Sequence, residues 1–160
     1  MPFILITFHL AQHLLYISCE KEAGGRKMEK DDKMIMVIDD NEFTLKSISY
    51  ALKMGGFPNQ GFKDPEEALS KYDKNTYELV ITDFRMPKIN GIEVLKLILQ
   101  MDNEAKVIIY SAFADEEIQV EAMKQGAFLF MKKPFNYESL IEAIQRIKAE
   151  DNIKKEVISK

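Results

Sequence analysis

Asp39-Asp40, Asp83, Ser111 and Lys133 are the side chains whose types and settings suit chemistry, because each ends or closely follows an apolar run. MIMVI precedes the acid pair, ELVIT precedes Asp83, KVIIY precedes Ser111, and AFLFMK precedes Lys133. A carboxylate left unpaired at the lip of a core costs several kcal/mol, roughly, until a partner compensates it. Three gathered together would also repel and raise one another's pKa. A hard divalent cation removes that conflict, and Mg2+ favours a few carboxylates with water and phosphate oxygens completing its shell. Taken singly, each of these residues is only a polar strand end. Whether they meet depends on the elements that carry them.

From Met34 the pattern alternates between short apolar runs and helical periods. Residues 34–39, 77–82, 106–110 and 127–131 read as buried strands, continuous in apolar side chains as strands covered on both faces are. FPNQGF (57–62) is a weaker strand that Pro58 assigns to a sheet edge. Between them, Glu42 to Met54 carries Phe43, Leu45, Ile48 and Leu52 at amphipathic spacing and is stopped by Gly55-Gly56. Asp64-Pro65-Glu66-Glu67 supplies an N-cap, a proline at the first helical position and an acid at the third, opening a short helix to about Tyr72. Further helices are expected over Gly91 to Met101, Asp115 to Gln125 and Tyr137 to about Asp151. Strands alternating with helices imply a parallel sheet with helices on both faces. Right-handed crossovers then favour a flavodoxin-like (βα)5 doubly wound α/β fold with strand order 2-1-3-4-5. In an open sheet of this kind, ligands sit outside the carboxyl ends of the strands. The acid pair, the third acid, the hydroxyl and the lysine would therefore converge on one rim.

Residues 34–149 closely resemble the receiver domain of bacterial two-component response regulators. The likeness is carried by VIDDN (37–41), ITDFRMPKINGIEVL (81–95), IIYSAFA (108–114) and MKKPF (131–135). It implies that Asp83 is the phosphoacceptor, Asp39 and Asp40 the acidic pocket, Ser111 the switch hydroxyl and Lys133 the site lysine. Phe130 matches the aromatic switch position. Asp40, Asp83 and the Arg85 backbone carbonyl would hold Mg2+, with Asp39 contributing through water. Asp83 would then take the phosphoryl group of a phosphohistidine donor, a sensor histidine kinase or a histidine phosphotransfer protein. The resemblance further implies that the phosphoryl group, carrying about −1.5 to −2 charges, draws the fourth loop inward through Ser111. Phe130 follows, and the surface presented to an unidentified target changes. Arg85 and Phe113, two residues beyond Asp83 and Ser111, would crowd the approach of a hydrolytic water and slow loss of the phosphoryl group.

Two other readings bear on the same residues. A haloacid-dehalogenase-type phosphatase also uses acids, a hydroxyl and a lysine at strand ends. Its first strand carries Asp-x-Asp, whereas here Asp39 and Asp40 are adjacent, followed by Asn41. A phosphate-independent pseudo-receiver, an interaction module, would have lost an acid, the hydroxyl or the lysine, and none is lost.

The bulk numbers agree with one domain. The chain has 160 residues, 46% hydrophobic and 30% charged, enough for a full core. A net charge of −4 with interspersed signs is not the electrostatic footprint of a nucleic-acid binder. A single cysteine, Cys19, excludes an internal disulfide and points to a reducing cytoplasm. Residues 1–33 read as an N-terminal extension, 34–150 as the receiver domain and 151–160 as a C-terminal tail too short for an output domain. The extension is apolar but interrupted by His9, Gln12 and His13, short for a membrane span, and without the basic start of a secretory signal. Gly24-Gly25 reads as the in-frame translation of a purine-rich ribosome-binding sequence, which makes Met28 the expected native start. A genuine amphipathic N-terminal helix is the alternative, and intact mass from the native host distinguishes them. Both histidines, His9 and His13, precede Met28, so the domain carries no phosphohistidine of its own.

Overall fold

In the computed structural model, residues 33–112, 116–134 and 136–158 are described, with side chains of 152 and 154–158 excepted. Their elements run β1 (Met34–Ile38), α1 (Glu42–Met54), β2 (Asn59–Phe62), α2 (Pro65–Lys71), β3 (Tyr77–Asp83), α3 (Gly91–Met101), β4 (Val107–Ser111), α4 (Glu116–Lys124), β5 (Leu129–Lys132) and α5 (Tyr137–Ile158). The readings of the N-terminal extension, Cys19 and the two histidines fall outside the described residues.

The five strands form one parallel sheet in the order β2-β1-β3-β4-β5. This is the flavodoxin-like α/β architecture the alternation predicts, with Pro58 just ahead of the edge strand. Side chains alternate across each strand, so the sheet divides its apolar residues between two cores. Met36, Ile38, Val80 and Ile109 pack with Ala68 of α2, Val94, Leu95 and Ile98 of α3, and Ala122 of α4. Ile35, Val37, Leu79, Ile81, Ile108 and Tyr110 pack with Leu45, Ile48 and Leu52 of α1 and Leu140, Ile144 and Ile147 of α5. Burial on both faces is why the strands read as unbroken apolar runs.

Helix starts are written locally. Asn41 caps α1 by accepting from the Thr44 N–H, and Asp64 caps α2 by accepting from Glu66 N–H, with Pro65 at the first position. Asn90 and Glu93 form a full capping box on α3.

Two expectations are corrected. Phe43 does not join the buried face of α1; it is 70% exposed. It precedes Leu45 by two residues, about 200° of helical rotation, so it lies on the far side of the helix from the buried stripe. The last helix does not end near Asp151 but continues to Ile158, so most of the supposed tail is helical. No glycine or proline interrupts 151–158. Asp151 pairs with Lys106 ahead of β4, and Lys148 pairs with Glu78 of β3 at 2.6 Å, anchoring the helix beyond its apolar stripe.

Candidate functional site

The pairing register brings the carboxyl ends of four strands level. Ile38 lies beside Thr82, Asp83 beside Tyr110, and Ser111 beside Lys132. Asp39 leaves the end of β1, Asp83 closes β3, Ser111 closes β4, and Lys133 follows β5. All four sequence-predicted polar positions therefore reach one rim.

Beyond the strand ends, Asp39, Asp40 and Asp83 each present a carboxylate oxygen within 4.8 Å of the others. Asp39 is 1% exposed and Asp83 7%, while Asp40 is exposed. Lys133 Nζ donates to Asp83 Oδ1 at 2.9 Å and lies 3.6 Å from Asp39 Oδ2. The Arg85 backbone N–H donates to Asp83 Oδ2 at 3.1 Å, while its side chain is exposed. Burial holds the Asp83 carboxyl above its ordinary pKa; the Lys133 ammonium pulls the other way, and the Asp39 charge adds to the rise. Three hard oxygen donors, two of them buried, against one ammonium suit a small divalent cation. Mg2+ fits this donor set.

Gly91 determines how closely α3 approaches the site. Its N–H donates to the Phe84 carbonyl at 2.9 Å, and a Cβ at this position would lie 2.6 Å from the Asp83 carbonyl oxygen. The turn before it contains Lys88 at φ 73°, a left-handed conformation unusual for a side chain of this kind. Lys88 bridges Asp64 at 2.8 Å and Glu66 at 2.6 Å across the start of α2.

Ser111 is buried at the end of β4, and strand alternation directs it to the face of Ile109, opposite Tyr110. Phe130 is 8% exposed and belongs to the core on that same face. The aromatic position thus already lies inside, leaving little ring for an inward movement to bury. Phe113 falls outside the described residues.

Sequence reasoning missed two contributors. The Asn41 N–H donates to Asp39 Oδ1 at 2.7 Å, and the Tyr110 hydroxyl donates to Asp39 Oδ2 at 2.8 Å. Burial, then the Asp39 charge, pushes the phenol well above its ordinary value, so it remains a donor. A signal was present in KVIIY: a tyrosine among residues destined for full burial must find a partner for its hydroxyl.

The family model for the response regulator receiver domain matches residues 35–145. The chain is 31% identical over 116 residues to the chemotaxis protein CheY of Thermotoga maritima, covering 72% of this chain and 97% of that protein. A crystal structure of a response regulator receiver domain protein from Clostridium thermocellum superposes with TM-score 0.72 at 30% identity, covering 76% of this chain and 98% of that one. The CheX-CheY-BeF3-Mg2+ complex from Borrelia burgdorferi contains a similar chain, with TM-score 0.66 at 28% identity, covering 72% of this chain and 88% of that one.

Proposed function

The chain belongs to the response regulator receiver family, and from that premise we propose that it accepts a phosphoryl group from a phosphohistidine donor onto Asp83, with Mg2+ bound, and so changes the surface it offers to a protein partner. The observation that carries this reading is the setting of Asp83. Its carboxylate is buried at a strand end, held by Lys133 at 2.9 Å and by the Arg85 N–H at 3.1 Å, beside two further acids.

Asp39, Asp40 and Asp83 would hold the cation, with the Arg85 carbonyl as a further ligand. Bound there, Mg2+ supplies positive charge against the carboxylates and the oxygens of the transferring group. An Asp83 carboxylate oxygen forms a bond to phosphorus as the bond from phosphorus to the donor histidine nitrogen breaks. The electron pair leaves with the imidazole. Two held contacts keep the Asp83 carboxylate from rotating, which is the orientation an in-line displacement needs. Lys133, already on Asp83, is within reach of the incoming oxygens and offsets their charge. Burial raises Asp83, and Lys133 at 2.9 Å opposes that rise, favouring the ionised, nucleophilic carboxylate.

The output rests on the opposite face. Ser111 would donate to a phosphoryl oxygen, and Phe130, already packed beneath α4, would adjust within the core rather than enter it. The donor is a sensor kinase or a phosphotransfer protein, and the site of action is the cytoplasm. Among the described residues, no helix is long and apolar enough to cross a membrane.

The test is intact mass after incubation with Mg2+ and acetyl phosphate, for wild type and Asp83→Asn. One added phosphoryl group in wild type alone supports the reading. No addition in either removes it and leaves an interaction module that works without phosphate.

A further inference from the structure

Tyr110 is a large aromatic buried on the acidic face of the described rim, outside the proposed ligands and phosphoryl contacts. It is fully buried, sits beside Asp83 in the β3–β4 register, and lies on the face shared by Asp39, Asp83 and Lys133. Both ends of this side chain touch the site. The hydroxyl donates to Asp39 Oδ2 at 2.8 Å, and the Lys133 Nζ stands 4.6 Å from the ring centroid, within cation–π range.

The atom that receives the phenol is the important detail. Lys133 Nζ is 2.9 Å from Asp83 Oδ1 and 3.6 Å from Asp39 Oδ2. The Asp39 oxygen nearest the ammonium is therefore the oxygen on which the phenol proton lies. Two buried carboxylates face a single ammonium, and a charge-assisted bond to either is strong. With Oδ2 occupied by the hydroxyl and Oδ1 by the Asn41 N–H, Asp39 has a donor on each oxygen without drawing Lys133 away. The ring beneath the ammonium supports it in the remaining position, on Asp83.

We propose that Tyr110 is a positioning residue that assigns Lys133 to Asp83 and fixes the plane of Asp39 for the cation. It acts through its neighbours rather than on the phosphoryl group. The inference rests on the proposed Mg2+-dependent chemistry of the same site, and it goes further in naming which side chain divides the lysine between two acids. Partners outside the ligand set commonly change metal affinity by about 10-fold or more when removed.

Tyr110→Phe isolates the hydroxyl, since the ring and its packing remain. Two measurements read it. In a metal-free crystal structure of the variant, Lys133 Nζ is expected on Asp39 Oδ2 and away from Asp83 Oδ1. By calorimetry on the unphosphorylated protein, Mg2+ is expected to bind about 10-fold more weakly than to wild type. Lys133 still on Asp83, together with unchanged Mg2+ affinity, would overturn the proposal and leave the hydroxyl as a satisfied buried polar group. If wild type takes no phosphoryl group, the proposed function falls, while the metal-free geometry of the variant still decides the role of Tyr110. A urea midpoint for both proteins separates altered positioning from loss of the fold.

Discussion

At the scale of the residue, burial sets the behaviour of Asp83. Its carboxyl binds a proton more tightly in the folded chain than in the unfolded one, because desolvation outweighs the Lys133 contact. Between the unfolded and folded pKa values the native state carries more proton. Stability of the metal-free protein therefore falls as pH rises through that window and stays reduced above it. Asp83→Asn should raise the melting temperature at pH 7 in metal-free buffer, and its advantage should vanish below about pH 4, where the unfolded aspartate is also protonated. Thermal melts of both proteins across a pH series check this; a less stable variant at pH 7 would contradict it. Arg85 supplies the second prediction. Its side chain is exposed two residues from Asp83, where, with Phe113, it would hinder a water approaching the phosphoryl group. Replacing Arg85 by Asn and Phe113 by Ala should shorten the phosphoryl half-life severalfold, followed by intact mass over time. An unchanged half-life would remove crowding as the cause.

At the scale of the element, the join between β3 and α3 brings helix and strand backbone into close approach. Gly91 lets the helix start against the Asp83 carbonyl, where a methyl group would lie 2.6 Å from backbone oxygen. Backbone cannot yield as a flexible side chain can, so Gly91→Ala must displace either the helix or the strand end. The expected cost is about 1–3 kcal/mol, the range for forced overpacking, read as a lower urea midpoint. The same displacement moves Asp83, so acetyl phosphate should label the variant more slowly even under conditions where it is fully folded. Normal stability and normal labelling together would show that the turn absorbs the change. Asn90, with its capping box, keeps the helix register and so opposes the displacement.

At the scale of the whole molecule, three carboxylates gathered at one rim make a site whose filling is coupled to the fold. The core beneath it is continuous on both faces of the sheet, and it holds Asp39 and Asp83 out of water. Any cation that binds only the folded site stabilises by mass action, about 2.7 kcal/mol at 100 times its dissociation constant. Mg2+ should therefore raise the melting temperature of wild type in a concentration-dependent way, and the rise should shrink markedly in Asp40→Asn. Asp40 is the exposed member of the three, so this change removes a proposed ligand without opening the core. Equal shifts in both proteins would mean that Mg2+ acts elsewhere.

The architecture was legible because a parallel sheet covered on both sides forces its strands to be apolar throughout, and ELVITD and KVIIYS carry that demand openly. Caps at Asn41, Asp64 and Asn90 are local chemistry, so helix starts followed from neighbouring residues. The strand-end acids, hydroxyl and lysine could be assigned to one rim because topology alone places parallel strand ends together. Other features required the third dimension. Phe43 satisfies a loose apolar count yet faces solvent, since only rotation about the helix axis distinguishes it from Leu45. The ion pairs that tie α5 to Glu78 and Lys106, through Lys148 and Asp151, join residues far apart in the chain. The Tyr110 hydroxyl on Asp39 and the ammonium on Asp83 are likewise partnerships across 71 and 50 residues. Sequence determined which groups come to the rim because that follows from chain-local pattern and topology. Only the tertiary structure decided which oxygen each donor takes, because that choice is made by side chains on different strands competing within a few ångströms.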